Sequence, residues 1–224
     1  MAQFGSALVI GASGGIGAAL VAELRARGAA VTGLSRSGDG LDVTDADSVE
    51  THLGALEGPY DLIFVATGAL EIGGRRPEKA LRQLDAESLM AQFALNAIGP
   101  ALVMRHAPRL MPRDGRAVFA ALSARVGSIG DNGFGGWYGY RAAKAALNQF
   151  LHTGAIEIAR SHREAVVAAL HPGTVATPLT AKYAGNHPTV APDHAAGRLL
   201  DVAQALTPEQ SGGFFDYAGT EIAW

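Results

Sequence analysis

Ala7-Leu-Val-Ile10 runs directly into Gly11-Ala-Ser-Gly-Gly-Ile-Gly17, and this junction decides the fold. Four apolar residues without alternation read as a strand buried on both faces. Gly11, Gly15 and Gly17 lack Cβ atoms, so the chain turns tightly there and backbone N–H groups come close to anything held in the turn. The stretch Ile16–Arg27 reads as a helix whose positive dipole end faces the loop, with Ser13 as an added hydroxyl donor; such a loop suits a phosphate. The spacing is GxxxGxG rather than GxGxxG, and no Lys-Ser/Thr ending follows as in a triphosphatase loop. A glycine-rich turn without a ligand is the bland reading. The position after the first strand and at the start of a helix favours a pyrophosphate site.

The same alternation continues outward. Strands are expected near Ala7–Ile10, Ala30–Ser35, Asp61–Ala66, Ala117–Leu122, Val166–Leu170 and Gly213–Tyr217. Helices are expected near Ile16–Arg27, Asp45–Leu56, Asp85–Leu110, Tyr138–Ser161 and Pro192–Ala205. A βαβα order implies the α/β class: a doubly wound parallel sheet, Rossmann-type, with helices on both faces, in one domain spanning 1–224. The 224 residues are 48% hydrophobic, enough for one full core, and the formal net charge of -3 offers no basic face to nucleic acid or anionic lipid. There is no cysteine, which excludes disulfides and thiolate chemistry and suits a reducing compartment. No signal peptide and no membrane-length apolar run is read, so the expectation is a cytoplasmic protein without membrane or nucleic-acid partners. The histidines show no metal-like pairing, and His171 before Pro172 reads as satisfying a local hydrogen bond; no metal is expected.

The end of the second strand bears on the choice of dinucleotide. An acid there would bond free ribose hydroxyls, but this chain reads Leu34-Ser-Arg-Ser37 with no acid before Asp39. Arg36 can meet a 2′-phosphate with two parallel N–H donors, with Ser35 or Ser37 adding another, so NADP is favoured over NAD. Downstream, Tyr140 and Lys144 stand one helical turn apart. A phenol titrates near 10, too high for fast proton exchange at neutral pH, and a neighbouring ammonium is expected to lower that value. Asn96 sits inside a helical stretch, where an amide is locally unfavourable.

Five ordered segments now resemble the short-chain dehydrogenase/reductase family over essentially the whole chain. They are Gly11-Ala-Ser-Gly-Gly-Ile-Gly17, Asp42-Val43, Asn96, Tyr140-Arg-Ala-Ala-Lys144 and Pro172-Gly-Thr-Val-Ala-Thr177. Gly127-Ser-Ile129, Gly135-Gly-Trp-Tyr-Gly-Tyr140 and Gly212-Gly-Phe-Phe-Asp216 look more narrowly like its C-factor and sniffer-type carbonyl reductase branch. The resemblance implies hydride transfer between NADP(H) and a small-molecule carbonyl or alcohol, with Tyr140 as proton donor. It implies that Lys144 holds the ribose and tunes the phenol, that Asn96 anchors a water relay, and that Asp42 and Val43 touch the adenine. Ala66, Thr67 and Gly68 replace the family's usual Asn-Asn-Ala-Gly, keeping the glycine; Thr67 is either a substitute contact or a strand-end turn residue. Pro172 and Gly173 would flank the nicotinamide, with Val175 and Thr177 facing its carboxamide. A homodimer or homotetramer is implied by likeness alone. The C-factor likeness also implies an alternative: a cofactor-binding sensor or signalling protein with little turnover.

The family's substrate-oxygen serine is displaced. Counting back from Gly127, its usual position falls on Ala124, with Ser123 one residue earlier, and a one-residue shift turns a strand side chain to the other face. Ser123 through a bulge, Ser128 from the loop, or no serine at all remain open. Phe134, Trp137 and Tyr138 form an apolar wall beside the nicotinamide position or a subunit contact. A lid is expected at Pro178–Ala191, with Tyr183, Asn186 and His187 as its polar contacts.

Overall fold

The structure is a computed structural model describing residues 4–178, 180–183 and 188–224; Asn186 and His187 lie outside the described residues. Strands β1 (Ser6–Ile10), β2 (Ala30–Leu34), β3 (Leu62–Val65), β4 (Ala117–Leu122), β5 (Ala165–His171) and β6 (Gly213–Asp216) pair in parallel, in the order β2-β1-β3-β4-β5-β6. This is the doubly wound sheet expected from the βαβα alternation. Although the strand sequences do not alternate in polarity, their side chains alternate in destination. Leu8, Ile10, Ile63, Val65, Phe119, Val167 and Ala169 face one core with Leu147 and Leu151 of α7 (Tyr138–Ile158). Val9, Leu62, Phe64, Val118, Val166 and Leu170 face a second core with Leu20 and Leu24 of α1 (Gly15–Ala26) and Leu199 and Leu200 of α8 (Pro192–Ala205). Two cores, one per face, are why the inner strands had to be apolar on both sides.

The strand order reverses at β1, which lies between β2 and β3. A crevice opens at such a switch point, beyond the carboxyl ends of the strands. Gly11 stands at the end of β1 and Ala66–Gly68 at the end of β3, so the sheet brings these two sets of predicted residues face to face.

Two expectations need correcting. Asp85–Leu110 is not one continuous helix: it runs as α4 (Ala86–Phe93), a π-helical turn (Ala94–Ile98), α5 (Gly99–Met104) and α6 (Ala107–Leu110). Pro100 has no N–H to offer the carbonyl of Asn96 four residues back, and Gly99 is pressed so closely on Val43 that a Cβ there would come within 2.9 Å of it. A short helix absent from the sequence reading, α2 (Arg36–Asp39), follows β2 before α3 (Ala46–Gly54). Ser35 caps α2, accepting the Gly38 N–H at 3.0 Å, and the Asp39 carboxylate folds back onto the Ser35 N–H at 2.9 Å.

Candidate active site

The glycine loop closes on itself. Gly11 sits at φ +86°, its N–H donating to Leu34 O at 2.8 Å, and a Cβ on Gly17 would fall 2.0 Å from the Gly11 carbonyl oxygen. Gly17 therefore lets α1 begin directly against the turn. No side chain caps α1, so its first N–H groups stay open toward the crevice, where Ser13 and Gly15 are exposed and Ile16 is half-buried. The Ser37 hydroxyl donates to Ser13 Oγ at 2.9 Å, joining the loop to α2. Arg36 is exposed beside them, and its charge helps to lower the Asp42 carboxyl. The Ser35 hydroxyl, the other candidate beside Ser37, accepts the Gly38 N–H that caps α2. Asp42 is turned inward on Thr44, whose hydroxyl (2.7 Å) and N–H (2.9 Å) lower its pKa, and Val43 is buried.

Across the crevice, Thr67 Oγ1 is buried with no hydrogen-bond partner. Gly68, at φ +155°, leaves little room for a side chain: a Cβ there would lie 3.0 Å from Asn96 Oδ1 and 3.5 Å from Lys144 Nζ. Asn96 is fully buried and spends its amide on Ala69, accepting its N–H at 3.1 Å and donating to its carbonyl at 2.9 Å, with a further bond to Gln92 Oε1 at 2.8 Å. It therefore pins the chain leaving β3, while the π turn deprives its own carbonyl of the usual helical donor.

Tyr140 and Lys144 both lie on the buried face of α7. The ammonium donates to Leu122 O at 2.8 Å and sits 5.8 Å from the phenol ring centroid. Burial pushes the Tyr140 phenol up to about 12 and Lys144 down to about 7. The expected lowering of the phenol is thus reversed in the chain by itself. Removing both groups from water outweighs their mutual help, and the ammonium is aimed at a backbone carbonyl.

Neither serine sits free beside the phenol. The Ser123 hydroxyl donates to Asn148 Oδ1 at 2.6 Å, two turns along α7 from Tyr140, a rise of about 12 Å. Ser128 Oγ accepts the Asp131 N–H at 3.0 Å. His171, in register with Asp216 on the next strand, has a buried Nδ1 without a partner, not the satisfied hydrogen bond expected of it. Burial, then Arg125, push it down to about 4, against the pull of Asp216.

The segment after β5 crosses back over the glycine loop. Pro172 is half-buried; Gly173 turns at φ +75° against the Tyr217 ring, and Val175 is buried and bridged to Val190. The Thr177 methyl lies where a Cβ on Gly15 would come within 2.8 Å. Beyond it, Tyr183 donates its hydroxyl to Glu71 and packs its ring edge-on against Trp137 at 5.6 Å, while Lys182 bonds the same carboxylate at 2.8 Å. Glu71, Glu78, Gln92 and Asn148 were absent from the sequence reading. Gln92 and Asn148 carried a signal: polar residues one turn from Asn96 and Lys144 on buried helix faces.

A glycine-lined slot, an uncapped helix start, an orphaned threonine hydroxyl and an exposed cation fit a phosphorylated dinucleotide laid across the switch point. Beside it stand a buried phenol and amine. A family model described as Enoyl-(Acyl carrier protein) reductase matches residues 39–210. The 1-hydroxy-2-glutathionyl-2-methyl-3-butene dehydrogenase of Rhodococcus sp. (strain AD45) is 34% identical over 239 residues, covering 97% of this chain and 98% of its own length. C-signal of Myxococcus xanthus is 38% identical over 150 residues, covering 65% of this chain and 84% of its own. A solved structure from Burkholderia multivorans, described as a short-chain dehydrogenase/reductase with bound NADP, matches with a TM-score of 0.83 at 26% identity, covering 99% of this chain and 100% of that one.

Proposed function

Because the chain belongs to the short-chain dehydrogenase/reductase family, we propose that it is an NADP(H)-dependent oxidoreductase acting on a small carbonyl or alcohol, working best as a carbonyl reductase. The observation that carries the reading is the meeting of Gly68, Asn96 and Lys144 at the end of β3, one helical turn from a buried phenol. The NADP held by the Burkholderia multivorans relative supports the cofactor. Gly11, Gly15, Gly17 and the start of α1 would hold the pyrophosphate, Arg36 with Ser13 and Ser37 the 2′-phosphate, and Lys144 the nicotinamide ribose. When bound, NADPH supplies the hydride that the carbonyl carbon receives.

Tyr140 gives its phenolic proton to the carbonyl oxygen as the C–O bond becomes an alkoxide. The phenol is protonated at physiological pH, the form that a reduction needs. Bound cofactor and substrate would have to offset the burial that pushes it up to about 12 for fast proton transfer. Alcohol oxidation would require the phenolate that burial disfavours. Lys144, near 7, gains and loses a proton readily; its ammonium donates to Leu122 O and is the group that would return a proton toward the phenol. Asn96 holds the wall of that path.

Oxidation of NADPH, followed by absorbance against a panel of aldehydes, quinones and diketones, tests the reading. Turnover is expected for the wild type, and Tyr140→Phe is expected to lose on the order of a thousand-fold in kcat with its NADPH Kd within about threefold. A second reading, cofactor binding with little turnover, is favoured by the likeness to C-signal and by the Ser123 hydroxyl donating to Asn148. Tight NADPH binding with no turnover on any of the panel would establish it instead.

A further inference from the structure

The helix that carries the phenol has no cap of its own. Its N-cap residue is Trp137, in the left-handed region at φ +51°, with no side-chain cap bond and no acid in the first turn. The open N–H groups and the positive dipole end of this 21-residue helix have nothing local to meet. The partner comes from 61 residues away. Glu78 is only 6% exposed, and its Oε2 accepts the Gly139 N–H at 3.1 Å. Its backbone carbonyl accepts the Trp137 N–H at 2.5 Å. The hydrogen bond that its carboxylate makes is to the helix start, not to a cation. A buried carboxylate is costly unless something compensates it, and the helix end is what stands there.

Gly139 makes room for this contact. A Cβ on it would lie 3.0 Å from Glu78 Oε1, 3.1 Å from Leu89 Cδ2 and 3.2 Å from Gln92 Cγ. The segment that presents Glu78 is braced in turn, the N–H groups of Lys79 and Ala80 donating to Gln83 Oε1 at 2.7 and 3.2 Å. Tyr140 is the residue immediately after Gly139, so the phenol rides on the turn that the carboxylate holds.

We propose that Glu78 is a positioning residue for the catalytic phenol, capping α7 from a distant segment of the same chain so that Tyr140 stays aligned with the substrate oxygen. The inference rests on the role proposed for Tyr140. Misplacement of a reacting group by about 1 Å can cost on the order of a hundred-fold in rate, so the effect belongs in kcat. The test compares Glu78→Ala and Glu78→Gln in the full chain, reading kcat, KM, NADPH Kd and amide hydrogen exchange at residues 139–141. Glu78→Ala is expected to lower kcat by roughly ten- to a hundred-fold, leave NADPH Kd within about threefold, and speed exchange at these amides about tenfold. Glu78→Gln keeps an oxygen for the Gly139 N–H and is expected to recover kcat to within about fivefold of wild type.

Wild-type kcat in Glu78→Ala, a loss confined to NADPH Kd, or equal losses in both variants would overturn the proposal. If Glu78→Ala does not fold, Gly139→Ala crowds the same carboxylate with one methyl and is expected to show the same loss in kcat; an unchanged kcat there overturns it. If the wild type turns over no carbonyl, the proposed function fails by itself. The exchange rates still decide Glu78: faster exchange supports its hold on α7, and unchanged exchange ends it.

Discussion

At the ends of β1 and β3 the cleft is walled mainly by backbone: glycines at 11, 15, 17 and 68, an uncapped helix start, and Thr67 with its hydroxyl unspent. At the ends of β4 and β5 it is walled mainly by side chains, most of them already engaged. Ser123 donates to Asn148, Ser128 accepts from Asp131, and the Thr177 and Thr180 hydroxyls meet at 3.4 Å, while the His171 Nδ1 stays without a partner. A surface of backbone donors needs no side chain to reorient before it binds, so it suits a constant ligand. A surface whose polar groups are spent leaves discrimination to shape and apolar contact. Phe134, 98% exposed, and Ile129 in the glycine-rich segment before α7 are the uncommitted apolar groups on that side. On the proposed function, the contrast separates a preformed cofactor half from an adaptable substrate half.

Four substitutions press on this contrast. Arg36→Ala should weaken NADPH by roughly ten- to a hundred-fold and NADH by less than about threefold in fluorescence titrations, because only the former presents a phosphate to the guanidinium; equal losses would remove the cofactor half's claim to NADP. Gly15→Ala should weaken NADPH about tenfold, since its methyl meets Thr177 Cγ2 at 2.8 Å. Adding Thr177→Ser, which deletes that methyl, should restore most of the loss; failure to restore would mean that the two halves do not touch through this pair.

Lys144→Met should abolish turnover yet raise the melting temperature by several degrees at pH 7. Lys144 sits near 7 when folded against 10.5 when free. Between those values the unfolded chain holds the proton and the folded chain does not, so wild-type stability rises with pH across that window. The variant's advantage, a few kcal/mol at most, should shrink toward pH 10 in parallel melts. Ser123→Ala should be the mildest: kcat within about threefold, with a stability loss on the order of 1 kcal/mol from the Asn148 bond. A hundred-fold fall in kcat would show that the hydroxyl leaves Asn148 to reach substrate.

The glycine loop, the six strands, most helices and the Tyr140–Lys144 pair were legible because each depends on local rules. Glycine spacing, unbroken apolar runs and helical periodicity all act within a few residues of chain. Asn96 was legible only as a misplaced amide in a helix, and the π turn around it had to wait for Pro100 and the close approach of Gly99 to Val43. The displaced serine could be posed as a question, since counting from Gly127 exposes the shift. Its answer depends on which face of α7 lies opposite Ser123, and no local pattern states that.

Amino-acid order alone determined where a glycine turn meets an uncapped helix start and which phenol stands one turn from an amine. Only the assembled chain decided that burial raises that phenol instead of a cation lowering it, that Ser123 answers to Asn148, and that Glu78 caps a helix 61 residues away. Desolvation and long-range hydrogen bonding depend on what surrounds a group in space, and residues distant along the chain become neighbours only when the sheet and its two cores have formed.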